Sequence, residues 1–293
     1  LLASIAISIR LEIASILEVE FWIFRGNMRK NCLITGASAG IGAAFAELMA
    51  QMGYDLILTA RREEKLNNLA SELHRKWGTN SLVIVADLAQ VGAVDTLLSE
   101  VAANGRTIDA LINNAGYGLG GTFASTNWQD QAGFIQLMLT APTELAHKTL
   151  RGMRERGFGR IINVASLAGI LPGSRGHTLY SAVKSYLIKF SQSLNLENLG
   201  TGVNITALCP GFTYSEFHDV NGLREQVSTL PAYMWLDAKT VAKLGIDAVE
   251  VNRAVVVTGV ANKIITAIAH FLPDSFMLKL MDKQSKNFRN ADN

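Results

Sequence analysis

The chain has 293 residues, 49% of them hydrophobic, with 27 lysines and arginines set against 25 acids for a formal net charge of +2. That balance, with no long basic run, gives no electrostatic case for a nucleic-acid partner, and the length suffices for one sizeable α/β domain or two small ones. Cys32 and Cys209 stand far apart in apolar runs and read as buried free thiols in a reducing, cytoplasmic compartment, while His74, His147, His177, His218 and His270 show no ligand spacing, so no metal is expected.

The chain opens with "LLASIAISIRLEIASILEVEFWIF", which Arg10, Glu12, Glu18 and Glu20 interrupt. The longest uncharged run, Leu1 to Ile9, is too short to span a bilayer and lacks the cationic start of a secretory signal. Residues 1–27 are read as upstream sequence carried in by a misplaced start, outside the fold, with a membrane-surface anchor as the alternative. From Met28 onward, short apolar runs alternate with longer stretches of helical period. The runs are "CLIT" (32–35), "LILT" (56–59), "SLVIVA" (81–86), "ALIN" (110–113), "IINVA" (161–165), "VNITAL" (203–208) and "AVVVT" (254–258). Apolar residues at successive positions mark strands covered on both faces, hence a parallel sheet. After the first run, Ile41, Phe45, Leu48 and Met52 form one helical stripe that Gly53 can end; after the second, Leu66, Leu69 and Leu73 form another. No repeat or linker divides residues 28–260. The expected fold is a doubly wound, Rossmann-like α/β domain, with about seven parallel strands and helices on both faces.

The first strand runs into "TGASAGIG" (35–42) and then a helix. A glycine-rich turn there lets backbone N–H groups approach a pyrophosphate, with the positive end of the helix dipole behind them. The second strand ends in "LTARREE", offering Arg61 and Arg62 before the first acid, Glu63. A guanidinium without a carboxylate suits a ribose 2′-phosphate, so NADP(H) is favoured over NAD(H). Asp87, at the end of the third strand, can reach an adenine edge or cap the next helix. Further on, "YSAVK" puts Tyr180 and Lys184 four residues apart, on one helix face. A free tyrosine titrates near about 10, and an ammonium within roughly 4–6 Å favours the phenolate, so the pair is expected to lower the phenol's pKa.

From about Met28 to Thr258 the chain resembles the short-chain dehydrogenases/reductases. The resemblance rests on "TGASAGIG" (35–42), "NNAG" (113–116), Ser166 in "NVAS", "YSAVK" (180–184) and "PGFTYSEF" (210–217), in that family's order and spacing. It implies a single domain shared by cofactor and catalytic groups, assembled as a homodimer or homotetramer. Ser166, Tyr180 and Lys184 would be catalytic: Tyr180 exchanges a proton with the substrate oxygen, Lys184 holds the nicotinamide ribose, and Ser166 holds the carbonyl. Gly36, Ser38, Gly40, Ile41, Gly42, Arg61, Asp87, Asn114, Ala115, Gly116, Pro210, Gly211 and Thr213 would line the cofactor together with Tyr180 and Lys184. Asn114 would steady the central strand. Many relatives carry an asparagine in the helix after "NNAG" that supports a water relay behind the lysine; here Met138 takes that place, and a thioether offers no N–H.

Residues 212–236, "FTYSEFHDVNGLREQVSTLPAYMWL", would be a lid over the substrate, with Phe212, Tyr214, Phe217, Leu223, Leu230, Tyr233, Met234 and Trp235 offering an apolar lining. These residues equally suit a core or a subunit interface, and His218 reads as a surface residue. The tail, residues 261–293, reads as two amphipathic helices split at Pro273, packing on the lid or a second subunit, with at most peripheral membrane contact through its lysines. The leading function is NADPH-dependent interconversion of a hydrophobic ketone or aldehyde and its alcohol. Alternatives are a 3-oxoacyl-thioester reductase of lipid metabolism and a non-catalytic NADP(H)-binding redox sensor. If the asparagine relay matters here, Met138→Asn raises turnover in a steady-state assay; no gain places the relay elsewhere.

Overall fold

The computed structural model describes residues 29–214, 231 and 234–288, and residues 31–293 form one compact unit distinct from residues 1–30. The expectations for residues 1–27 and for residues 215–230, including Phe217, His218, Leu223 and Leu230, lie outside the described residues, as does Tyr233.

All seven apolar runs are strands: β1 (Asn31–Thr35), β2 (Asp55–Ala60), β3 (Ser81–Val85), β4 (Ala110–Asn113), β5 (Gly159–Val164), β6 (Val203–Cys209) and, after a short pair described below, β9 (Val255–Val257). They form one parallel sheet in the order β3-β2-β1-β4-β5-β6-β9, with Cys32 opposite both Leu56 and Ala110. Alternate residues feed two cores, as the two-residue period of a strand requires. Cys32, Ile34, Leu56 and Leu58 point to one side, where they meet Phe45 of helix α1 (Gly40–Gln51) and Leu66 and Leu73 of α2 (Glu63–Trp77). Leu33, Ile57, Leu111 and Ile161 point to the other. There they meet Val94 and Leu97 of α3 (Ala93–Ala103), and Leu145 of α5 (Ala141–Glu155). Helix α4 (Trp128–Ile135) leads into α5 through one π-helical turn, Gln136–Thr140.

The α1 stripe differs from the sequence-based one. Phe45 and Met49 are buried with Gly42, Ala46 and Ala50, Leu48 is only partly buried, and Met52 lies past the helix end at 49% exposure. Gly53, at φ +86°, turns the chain immediately afterwards, so the helix ends one residue before Met52. Inside the expected lid, β7 (Phe212–Tyr214) and β8 (Trp235–Asp237) form a two-stranded parallel ribbon, on which Tyr214 and Trp235 stack with centroids 4.8 Å apart. Helix α6 (Thr178–Glu197) packs beside β6, and α7 (Ala238–Glu250) packs on α1. Two helices, α8 (Val260–Phe271) and α9 (Asp274–Phe288), follow β9 on either side of Pro273. Among the described residues no helix is long and apolar enough to cross a membrane.

Because β2 and β4 flank β1 on opposite sides, the connections leaving β1 and β3 diverge, opening a crevice at the carboxyl ends of β1 and β4. Thr35 and Asn113 end those two strands and mark where a site can form.

Candidate active site

The crevice is tied together through Thr35. Its Oγ1 donates to Ile112 O at 3.2 Å and accepts from the backbone N–H groups of Asn114 (2.9 Å) and Ala115 (3.0 Å). Asn114 answers with its side chain, Nδ2 donating to Thr35 O and Gly36 O at 3.0 and 3.3 Å. These bonds clamp the ends of β1 and β4 and fix the glycine turn between β1 and α1. Gly36 has φ +67°, and a Cβ on Gly42 would lie 2.2 Å from Gly36 O, so neither position accepts a side chain without displacing backbone. Ala39 leaves α1 without a side-chain cap. The result is a cradle of bare backbone at a helix N-terminus, which fits a pyrophosphate.

Of the two arginines after β2, Arg62 donates from Nε and Nη2 to Ser38 Oγ at 3.2 and 3.0 Å, bringing a guanidinium onto the phosphate turn. Arg61, the residue named from the sequence, is exposed. Asp87 Oδ1 accepts from Ala89 N at 3.1 Å, a local turn contact that precedes α3 by several residues.

The reacting end lies beyond β5. Ser166 lies two residues past the end of that strand and caps a short 3₁₀ turn, Leu167–Gly169, with Oγ accepting from Ala168 N at 3.2 Å. A Cβ on Gly169 would sit 2.5 Å from the carbonyl carbon of Lys184, so only glycine lets this turn lie against α6. The close approach brings the Ser166 hydroxyl beside the Tyr180 phenol, whose ionised form it favours. One helical turn on, Lys184 is buried at 6% exposure and its Nζ donates to Val164 O at 2.7 Å, 5.6 Å from the centre of the Tyr180 ring. Thus the structure brings Ser166, Tyr180 and Lys184 together.

Their electrostatics differ from the sequence-based expectation. Burial raises the Tyr180 pKa above its ordinary value of 10, and the Ser166 hydroxyl pulls it back only in part. Burial also pushes Lys184 down to about 8. Desolvation disfavours the charged form of each group, and the ammonium is committed to Val164 O. Near neutrality the phenol keeps its proton and the lysine keeps most of its charge.

Sequence reasoning missed the polar web underneath. Asn113 Nδ2 donates to Pro142 O and Asn163 Oδ1, and Asn163 Nδ2 donates to Ser191 Oγ at 2.9 Å, joining β4, β5 and α6 in the interior. The asparagine of "NVAS" was the available signal. Met138 lies in the π-helical turn, 2% exposed, packed with Phe134 and Val183; a Cβ on Gly116 would lie 2.6 Å from its sulfur. At the far end of the crevice, Thr213 Oγ1 donates to Gly211 O at 3.2 Å, and Pro210 O accepts from Leu167 N at 2.8 Å. A Cβ on Gly211 would overlap Asn262 Nδ2 at 2.3 Å, so α8 presses on this corner through a residue the sequence did not single out.

A doubly wound sheet, a bare-backbone cradle at its switch point and a Ser–Tyr–Lys cluster beside it define a dinucleotide-dependent oxidoreductase. The short chain dehydrogenase family model matches residues 30–225, and the chain belongs to that family. It is 34% identical over 183 residues to the ketoacyl reductase HetN of Nostoc sp., a match covering 62% of this chain and 63% of that protein, so a little under two thirds of the relative's length is spanned. Among solved structures, the bulky-bulky ketone specific alcohol dehydrogenase of Comamonas testosteroni is 30% identical, with a TM-score of 0.68 over 84% of this chain and 96% of that one. A short-chain dehydrogenase from Sphingobium yanoikuyae in complex with NADPH is 28% identical, with a TM-score of 0.72 over 84% and 97% of the two chains.

Two outcomes follow from the geometry. Below pH 8 Lys184 is protonated in both the folded and unfolded chains; between about 8 and its ordinary 10.5 only the unfolded chain holds the proton, so folding stability rises with pH across that window. Relative to Lys184→Met, the ligand-free protein therefore gains about 3 kcal/mol between pH 7 and pH 10.5 in urea unfolding. Gly169→Ala forces the 3₁₀ turn off α6 and separates Ser166 from Tyr180. It lowers kcat at least about tenfold in a steady-state assay, as sub-ångström displacement of reacting groups does.

Proposed function

We propose that the protein is an NADP(H)-dependent carbonyl reductase, interconverting a hydrophobic ketone or aldehyde and its alcohol. The observation that carries this reading is the grouping of Ser166 and Tyr180 with the buried Lys184, beside a cradle that only glycines permit. The NADPH-bound Sphingobium relative and the guanidinium of Arg62 on Ser38 support the phosphorylated cofactor. Gly36, Ser38, Gly40, Ile41 and Gly42 would carry its pyrophosphate and Arg62, with Arg61, its 2′-phosphate. Asp87, Asn114, Ala115 and Gly116 would flank the adenine and ribose side, and Pro210, Gly211 and Thr213 the nicotinamide end. When bound, that cofactor supplies the hydride.

The chain's own residues supply the rest. Ser166 Oγ donates a hydrogen bond to the carbonyl oxygen and sets its distance from Tyr180. The phenol, protonated near neutrality, gives its proton to that oxygen as negative charge develops there. Lys184 stays in place on Val164 O, and its positive charge stabilises the phenolate left behind. In the oxidative direction the same groups run in reverse. Phe212, Tyr214 and Trp235, gathered on the ribbon at the ends of the expected lid, support an apolar substrate. The exposed Val260, Ile264, Ile268 and Phe271 of α8 support assembly into a homodimer or homotetramer. The likeness to HetN supports a second reading, reduction of a 3-oxoacyl thioester.

The test follows NADPH consumption over a panel of lipophilic ketones. Tyr180→Phe lowers kcat/KM by about 10²–10⁴, the usual contribution of a positioned acid, and Arg62→Ala erodes the preference for NADPH over NADH. Tight NADPH binding with equal, negligible rates for parent and Tyr180→Phe would make the protein a sensor instead.

A further inference from the structure

Residues 173–177 lead into α6 and form one side of the cavity beside Tyr180, which Gly176 and His177 border together with Thr178 and Tyr180 itself. The ring of His177 stands edge-on to that of Tyr180, with centroids 6.1 Å apart. Any shift of this segment therefore reshapes the space next to the phenol.

Its own sequence, Gly-Ser-Arg-Gly-His, is poorly suited to hold one conformation, because two of the five positions are glycine and glycine has the freest backbone. Gly176 sits at φ +69°, and a Cβ on Gly173 would meet nothing within 4 Å. Inside the segment, His177 N donates to Ser174 O at 3.3 Å, and Ser174 Oγ lies 3.3 Å from His177 Nδ1, both long for hydrogen bonds. Arg175, between the two glycines, ties the segment to a distant helix: its Nε donates to Asp282 Oδ1 of α9. Helix α9 is itself seated, since Met277 is buried while Phe276 and Leu278 beside it are exposed. It lies past residue 225, where the match to the short chain dehydrogenase family model ends.

We propose that Asp282 is a positioning residue for substrate binding: through Arg175, α9 clamps residues 173–177 in the conformation that forms the cavity wall beside Tyr180. Ser166 and Lys184 are held separately, by the Gly169 contact with α6 and by Val164 O, so the clamp governs how well the ketone is bound and leaves the chemical step alone. This rests on the reading of Tyr180 as the group that meets the carbonyl oxygen, since only then does the cavity beside it receive substrate. Both partners are partly exposed, which limits the effect of losing the pair to about fivefold.

Two measurements on the full chain test this, the first without substrate. In limited trypsin digestion of the ligand-free protein, followed by mass spectrometry, cleavage after Arg175 is about three- to fivefold faster in Asp282→Asn than in the parent, with other sites unchanged. In steady-state reduction of lipophilic ketones at saturating NADPH, Asp282→Asn raises the ketone KM by a similar factor at unchanged kcat, the pattern of lost binding. Arg175→Asp or Asp282→Arg alone raises it too, and the two combined return it to the parent value. Unaltered cleavage after Arg175, or equal acceleration at every site, overturns the clamp. A ketone KM that stays at the parent value, a fall in kcat in place of a rise in KM, or a double variant no better than the single ones overturns its role in binding. In all these outcomes the parent still reduces ketones and the reductase reading stands. A parent that reduces none of them removes that reading, and the positioning role with it.

Discussion

The constraint on which the site depends is a cation held inside the protein. Lys184 has given up nearly all its contact with water for a bond to Val164 O, and that burial depresses its pKa. Such a group keeps its place only where the surroundings fix it. Val164 ends a strand flanked by β4 and β6, and the backbone of Lys184 lies against Gly169, so the ammonium is located by an interior strand of the sheet rather than by a loop. Tyr180 and Ser166 then fall into register, one a helical turn away and the other at the next residue but one after the strand.

Burial acts on the two titrating groups in opposite directions, and both effects suit reduction. The lysine moves towards neutrality without reaching it at pH 7, while the tyrosine is held in its protonated form, the form that gives a proton to an oxyanion. A neighbouring cation alone would have produced a more acidic phenol, better matched to alcohol oxidation. The interior hydrogen bonds from Asn113 through Asn163 to Ser191 keep β4, β5 and α6 at fixed spacing beneath these groups. Asn113 Oδ1 has no donor among the described residues, so the web is held through the amide N–H groups of Asn113 and Asn163.

The sheet was legible because strands covered on both faces appear as uninterrupted apolar runs, and every one of the seven became a strand. The glycine turn and the Tyr180–Lys184 spacing were legible because each depends on residues within one or two turns of chain. What stayed hidden was set by distances across the fold. Gly169 looked like any loop glycine until α6 lay against it, and Asn163 like an ordinary strand residue until Asn113 and Ser191 reached it. Arg62 was separated from Arg61 only by the position of Ser38. The direction of the tyrosine shift depended on burial, which residue spacing does not reveal. Met52 was misplaced for a local reason: the helix ends at Gln51, one residue before the stripe would have used it.

The two cysteines give the molecule a built-in gauge. Cys32 lies in β1 and Cys209 at the end of β6; both are free and fully enclosed, with burial raising the first thiol and pushing the second up to about 12. A thiol that is neither ionised nor reachable does not react with an alkylating reagent while the sheet is intact. Alkylation of this chain therefore proceeds only through opening of its central strands, and labelling kinetics count those openings without any introduced probe.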